Sequence, residues 1–202
     1  MLCLEASVFI RERKLTLLSF AGFHGSSAEW RQPRALEMDF VLWNKTAKLA
    51  RLYYRSCMDQ AAIAITKEAR WSIERVGFLN PRVVVRYEGV DEALAIYQPK
   101  FWGDGELEII NGPTISWKPT NFRNTEWAFI DPNGIDLLRF QEGLQNEAWN
   151  DMFKCHHTMT LGYLGTYRRM LPLLSCLGMY LIDKRQRVLG AGVAVTAAAT
   201  AA

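Results

Sequence analysis

The chain has 202 residues, half of them hydrophobic and 22% charged, which is enough for one sizeable domain with a buried core. A formal net charge of +3 is too small for a nucleic-acid binder, which concentrates basic charge on one face, so no nucleic acid is expected. Cys3, Cys57, Cys155 and Cys176 lie far apart with no CxxC spacing. That excludes a disulfide framework and points to free thiols packed as small hydrophobes in a reducing compartment.

Along the chain, the opening MLCLEASVF is apolar but meets Arg11, Arg13 and Lys14 only afterwards, the reverse of the order in a secretory signal. The expectation is therefore a cytoplasmic protein, at most peripheral to a membrane. Residues 1–30 read as a segment outside the main domain, with the glycines and small polar residues of Ser19 to Ser27 suiting a linker.

From about Leu36 the apolar residues recur in short, strand-like runs broken at hairpin spacing. Leu36 to Trp43 and Ala47 to Arg55 flank Asn44-Lys45. Gln60 to Thr66, Trp71 to Phe78, the β-branched Arg82 to Tyr87, and Ala93 to Gln98 follow. The clearest pattern runs from Glu106 to Phe140. Leu107 and Ile109 alternate with Glu106 and Glu108 up to Asn111-Gly112-Pro113, then Ile115 and Trp117 with Ser116 and Lys118. Trp127 and Phe129 lead through Asp131-Pro132-Asn133-Gly134 to Leu137, Leu138 and Phe140. Asn-Gly supplies positive φ at low cost, so these are turns in a meander of sequentially paired antiparallel strands.

Near Arg168 the pattern changes. Met170 to Ile182, MLPLLSCLGMYLI, is apolar or small at every position. A helix without a polar face is surrounded either by protein or by lipid. A bilayer span needs about 20 apolar residues and this run is shorter, which favours a core helix. Pro172 suits its first turn, and the basic residues after Ile182 suit its C-terminus. The uncharged Ala/Gly/Val tail, 188–202, has too little bulky apolar surface to order itself and is expected to be disordered.

A meander must hide its edges, and closure into a barrel does so. About ten or more strands followed by one apolar helix imply a mainly β chain: a closed antiparallel barrel around a hydrophobic C-terminal helix, spanning residues 31–187. The meander GDGELEIINGPTISWKPTNFRNTEWAFIDPNG and the helix LPLLSCLGMYLI resemble the tubby C-terminal-like superfamily, which groups tubby domains, phospholipid scramblases and LURP-one-related proteins. The chain looks most similar to small bacterial members. The resemblance implies the same helix-threaded barrel, and it carries no phosphoinositide or calcium site onto residues of this chain.

Chemistry is sparse. Cys155-His156-His157 has metal-ligand residue types, and Cys155 and His157 would share one side of a strand, but a zinc site needs further ligands and the only other histidine is His24. Chance clustering explains it better. No GxSxG, HExxH or phosphate loop is present, and the carboxylates Glu106, Glu108 and Asp136 fall at strand positions open to water. Neither an enzyme nor a cofactor is expected. One rim stands out. If Asn111-Gly112-Pro113 turns a hairpin, Glu106 and Lys118 meet at its far end, bringing Lys100, Phe101 and Trp102 beside Lys118, Phe122 and Arg123. Cations beside aromatics at a barrel rim suit an anionic lipid headgroup, with Lys100, Trp102, Lys118 and Arg123 as the binding residues. The plainer alternative is that the aromatics cap the core and the charges are solvated.

The leading expectation is thus a non-enzymatic binding or scaffold module for an anionic membrane surface. A scramblase-like protein with its helix inserted in lipid would have to bury Asp183, Lys184, Arg185 and Arg187. A small-molecule carrier would need an interior cavity larger than about 300 Å³.

Overall fold

The computed structural model describes residues 15–23, 27–34, 37–54, 61–100, 103–142 and 156–200, with side chains described through Val188. Twelve strands run in chain order: β1 (Ser27–Arg31), β2 (Asp39–Asn44), β3 (Ala47–Tyr54), β4 (Ala61–Thr66), β5 (Arg70–Val76), β6 (Arg82–Tyr87), β7 (Ala93–Pro99), β8 (Gly105–Ile109), β9 (Thr114–Pro119), β10 (Glu126–Ile130), β11 (Asp136–Glu142) and β12 (His156–Leu161). Each pairs antiparallel with the next, and β1 pairs with β12 to close the barrel. One helix, α1 (Leu171–Thr200), follows β12 after the 3-10 turn Gly165–Met170. The mainly β barrel around a C-terminal helix is therefore the fold, with twelve strands.

Alternation sorts the side chains. Leu107 and Ile109 point inward while Glu106 and Glu108 face water, and Trp117 faces inward beside an exposed Lys118. The interior is asymmetric. On β3 and β4 the inward residues include Ala50, Ala62 and Ala64, and α1 lies close to these strands. Across the barrel Trp117 packs at ring-centroid distances of 5.6 Å from Trp127, 4.5 Å from Phe129 and 5.6 Å from Phe140. Small residues on β3 and β4, and Gly178 of the helix against Phe140, let the helix and the large rings share the interior.

Helix α1 is apolar where it is enclosed. Leu171, Leu174, Cys176, Leu177, Met179 and Tyr180 are all buried, and burial pushes the Cys176 thiol far above its usual range. Pro172 occupies the first turn, as its fixed φ and missing N–H predict. Ser175, a buried polar residue of this run, satisfies its hydroxyl by donating to the Leu171 carbonyl four residues back at 2.7 Å. Gly178 lies directly against the Phe140 ring, so a Cβ there would collide with it.

Three boundaries differ from the sequence reading. Ser27–Arg31 belongs to the barrel, with Trp30 fully buried opposite His157, and Phe20 and Phe23 join the core ahead of it. The domain therefore begins well before residue 31; the few apolar residues there gave no periodicity to count. Strand β5 ends at Val76 because Gly77 turns at φ +86, so Phe78 leaves the sheet instead of continuing its apolar run. The helix continues to Thr200, through residues expected to be disordered, consistent with the helix propensity of alanine. Asp183 to Arg187 are consequently mid-helix residues, and their charges do not serve a helix C-terminus.

Candidate functional site

Because the strands alternate in direction, the connections fall into two sets. Residues 45–46, 67–69, 88–92, 110–113 and 131–135 lie at the end where α1 enters; 32–38, 55–60, 77–81, 100–104, 120–125 and 143–155 join strands at the end where it leaves. The entry end is made of tight turns. Lys45 and Asn111 adopt φ of 54° and 57°, and Gly134 turns at 83°. The Asp131 carboxylate accepts from the Ile135 N–H at 2.8 Å and the Asn133 N–H at 2.9 Å, and those bonds, Ile135 first, hold its pKa below the usual range.

The exit end carries the residues singled out by sequence. Lys100 donates to Glu106 Oε1 at 2.6 Å, which raises the lysine pKa and lowers that of the glutamate; Lys118 adds a smaller downward pull on Glu106. Glu106 and Lys118 thus neighbour each other as the hairpin predicts, and Lys100 is already neutralised. Lys118 and Arg123 are exposed and make no hydrogen bond or salt bridge among the described residues. Trp102 and Phe101 lie outside the described residues. Phe122 is fully exposed, at 103%, so it does not cap the core. Sequence reasoning missed Phe78 and Leu79, which stand 95% and 94% exposed on the connection after β5, at the same end. The only signal for them was Gly77, a turn residue inside an apolar run.

Residues 183–187 of α1 fasten the helix to the barrel mouth. Tyr54 Oη donates to Asp183 Oδ2 at 2.6 Å, and Arg187 Nη2 meets the same oxygen at 2.8 Å while its guanidinium lies 4.1 Å from the Tyr54 ring centroid. Burial, then Asp183, drives the Tyr54 hydroxyl well above its ordinary pKa. Lys184 sits 5.0 Å over Tyr54 and 5.5 Å over Tyr180. Arg185 reaches the opposite wall, lying 4.5 Å over Trp127 and donating to the Asn124 carbonyl at 2.9 Å, an oxygen that also accepts from Trp127 Nε1 at 2.9 Å. Gln186 Nε2 donates to Glu142 Oε1 at 2.9 Å.

At the helix exit a cleft of about 120 Å³ opens between Arg123, Trp127, Glu142, His157, Arg185 and Gln186. His157 points inward from β12 and is 1% exposed; burial drives its pKa down to about 4, so it is neutral near pH 7. Its interaction with the Gln186 side chain offsets part of that lowering. Both imidazole nitrogens and Gln186 Oε1 are closed off from solvent. His156 points to the opposite side of β12, and Cys155 and His24 lie outside the described residues. Among the described residues no group of three His, Cys, Asp or Glu could hold a metal ion, and no helix is long and apolar enough to cross a membrane. No family model matches the sequence, and no curated protein or solved structure matches it either.

Proposed function

We propose that the protein is a non-enzymatic binding module of the tubby-like kind that docks its helix-exit end against an anionic lipid surface. The observation that supports this is the pairing at one end of fully exposed apolar tips, Phe78, Leu79 and Phe122, with the exposed cations Lys118 and Arg123, which form no salt bridge among the described residues. Apolar side chains that protrude past a cationic rim suit shallow insertion among acyl chains while the charges meet anionic headgroups. The alternatives gain less support. Pulling α1 out into lipid would break the contacts of Asp183 and Arg187 with Tyr54 and empty the barrel. The cleft, at about 120 Å³, falls short of the volume a carrier needs.

Co-sedimentation with phosphatidylserine-containing vesicles at low salt tests the proposal. The expected result is binding that weakens as salt rises, as screening requires. It should drop at least fivefold in a Lys118→Glu/Arg123→Glu variant and in a Phe78→Ser/Leu79→Ser/Phe122→Ser variant. Equal sedimentation of all three proteins, or of none, overturns it.

A further inference from the structure

The connections at the exit end differ in what they do with their cations. Between β1 and β2 Arg34 pairs with Glu37 at 2.8 Å, and after β7 Lys100 pairs with Glu106 at 2.6 Å. Two connections leave theirs free. Between β5 and β6 the chain reads Arg75-Val76-Gly77-Phe78-Leu79-Asn80-Pro81-Arg82, and between β9 and β10 it reads Lys118-Pro119-Thr120-Asn121-Phe122-Arg123. Each stretch holds no acid, and each begins and ends on an exposed cation that makes no hydrogen bond or salt bridge among the described residues. The exposed apolar tip lies between the two cations in both cases. Strand alternation gives the two stretches the same build. Arg75 continues the inward row of Trp71 and Ile73, and Arg123 lines the mouth, while Arg82 and Lys118 fall on the outward rows. Gly77 is what lets the first tip project. At φ +86 it turns the chain out of β5, and a Cβ there would sit 2.8 Å from the Asn80 carbonyl oxygen.

We propose that these two connections are matching contact elements, on which the barrel stands on an anionic bilayer with its axis near the membrane normal. Arg75 and Arg82 bind headgroups around Phe78 and Leu79 as Lys118 and Arg123 do around Phe122. This rests on the surface-docking reading above and adds to it a second cation pair and a posture. Four strands, β6 to β9, separate the two connections, a third of the twelve-strand rim. With strands about 4.8 Å apart and tilted by about 40°, the tips stand roughly 20 Å from each other. No single headgroup spans that distance, so the two elements hold separate lipids, and the barrel between them makes the second contact intramolecular. The continuation of α1 fits the same posture. The helix leaves through the mouth and runs from Val188 to Thr200 without a charged residue, about 20 Å at 1.5 Å per residue. Beside the tips it enters one leaflet without crossing a hydrocarbon core of about 30 Å. A charged continuation would forbid docking by this end.

The test uses the full chain with p-benzoylphenylalanine carried at position 78, at 122, or at 90 on the entry end, irradiated on phosphatidylserine-containing vesicles. Mass spectrometry should find acyl-chain adducts from positions 78 and 122 and none from 90. In parallel, Arg75→Glu/Arg82→Glu should lower vesicle binding at least fivefold, since one cation near an anionic surface strengthens binding by about that factor. Arg75→Lys/Arg82→Lys should retain it, because the contact is one of charge. Adducts from 122 alone, or a glutamate variant that binds like the unaltered protein, overturn the two-point posture and leave docking standing on one connection. Sedimentation with adducts from neither tip, or from 90 as strongly as from 78, overturns the posture and the choice of end together. Absence of sedimentation removes the docking reading, and this proposal with it. If the lysine variant loses as much as the glutamate variant, the fold has been disturbed and the adduct pattern decides.

Discussion

The two ends of the barrel are made by the same strands and differ in nearly everything else. At the entry end the strands are joined by tight turns whose backbone is specified residue by residue, as at Lys45, Asn111 and Asp131-Pro132-Asn133-Gly134. There the exposed apolar side chains, such as Val90 and Ile135, remain about half covered, and Tyr163 is the most open. At the exit end the connections are mostly longer, the helix leaves through a ring of charged and aromatic contacts, and Phe78, Leu79 and Phe122 stand free of the protein. A barrel whose centre is filled by its own helix has little interior left to use. What recognition it performs falls to an end, and the end with polar groups in its mouth and apolar tips on its rim is the one equipped for it.

The comparison presumes a full interior, and the largest expected effect tests that. Replacing Gly178 with leucine forces a side chain into the Phe140 ring and should cost about 3 kcal/mol or more, since overpacking of a tight core is poorly relieved. Urea denaturation measures it; a neutral result would mean that the helix is loosely held. Next, Asp183→Ala removes the carboxylate shared by Tyr54 and Arg187 and should cost roughly 2–3 kcal/mol, the partial exposure of Arg187 keeping it below the figure for a wholly buried pair. The same change should leave the entry end unaltered by hydrogen exchange.

A third prediction concerns pH. His157 is held neutral in the folded state, with a pKa of about 4 against an ordinary 6.5, so the unfolded chain takes up a proton first as the medium acidifies. Stability is therefore full above pH 6.5, falls by up to about 1.4 kcal/mol per pH unit between there and 4, and gains no further loss from this group below it. Stability curves at pH 7 and 5 should differ accordingly, and His157→Leu should flatten that difference. Smallest of all, the Phe78→Ser/Leu79→Ser/Phe122→Ser variant should shift stability by less than about 0.5 kcal/mol, because these side chains touch little in the folded protein. A larger loss would mean that the tips support the barrel instead of projecting from it.

Most of the sheet was legible because alternation is a local property. Glu106 to Phe140 declares its faces one residue at a time, and the thirteen-residue apolar run could be read as enclosed before any partner was known. β1 and β12 were harder. Ser-Ala-Glu-Trp-Arg offers only Ala28 and Trp30, and His156 to Leu161 mixes imidazoles and hydroxyls with one methionine, so neither announces a period. The rim was half legible, since one hairpin brings Glu106 and Lys118 together, whereas Phe78 reached the same end through a turn that an apolar run disguised. The cleft could not be read at all. Glu142, His157 and Arg185 are separated in sequence, and they meet only once the sheet has closed around the helix.

The seam between β1 and β12 joins the two extremes of the sheet, with Ala28 opposite Met159, and the segment that fills the centre comes after both. A nascent chain must therefore hold an eleven-strand curl with two raw margins until β12 and the helix have been translated. Sealing is a late, long-range event, so this topology should fold slowly and stand exposed to sticking by its open margins while it waits. Trimming the stretch before residue 32 would make that transient condition permanent.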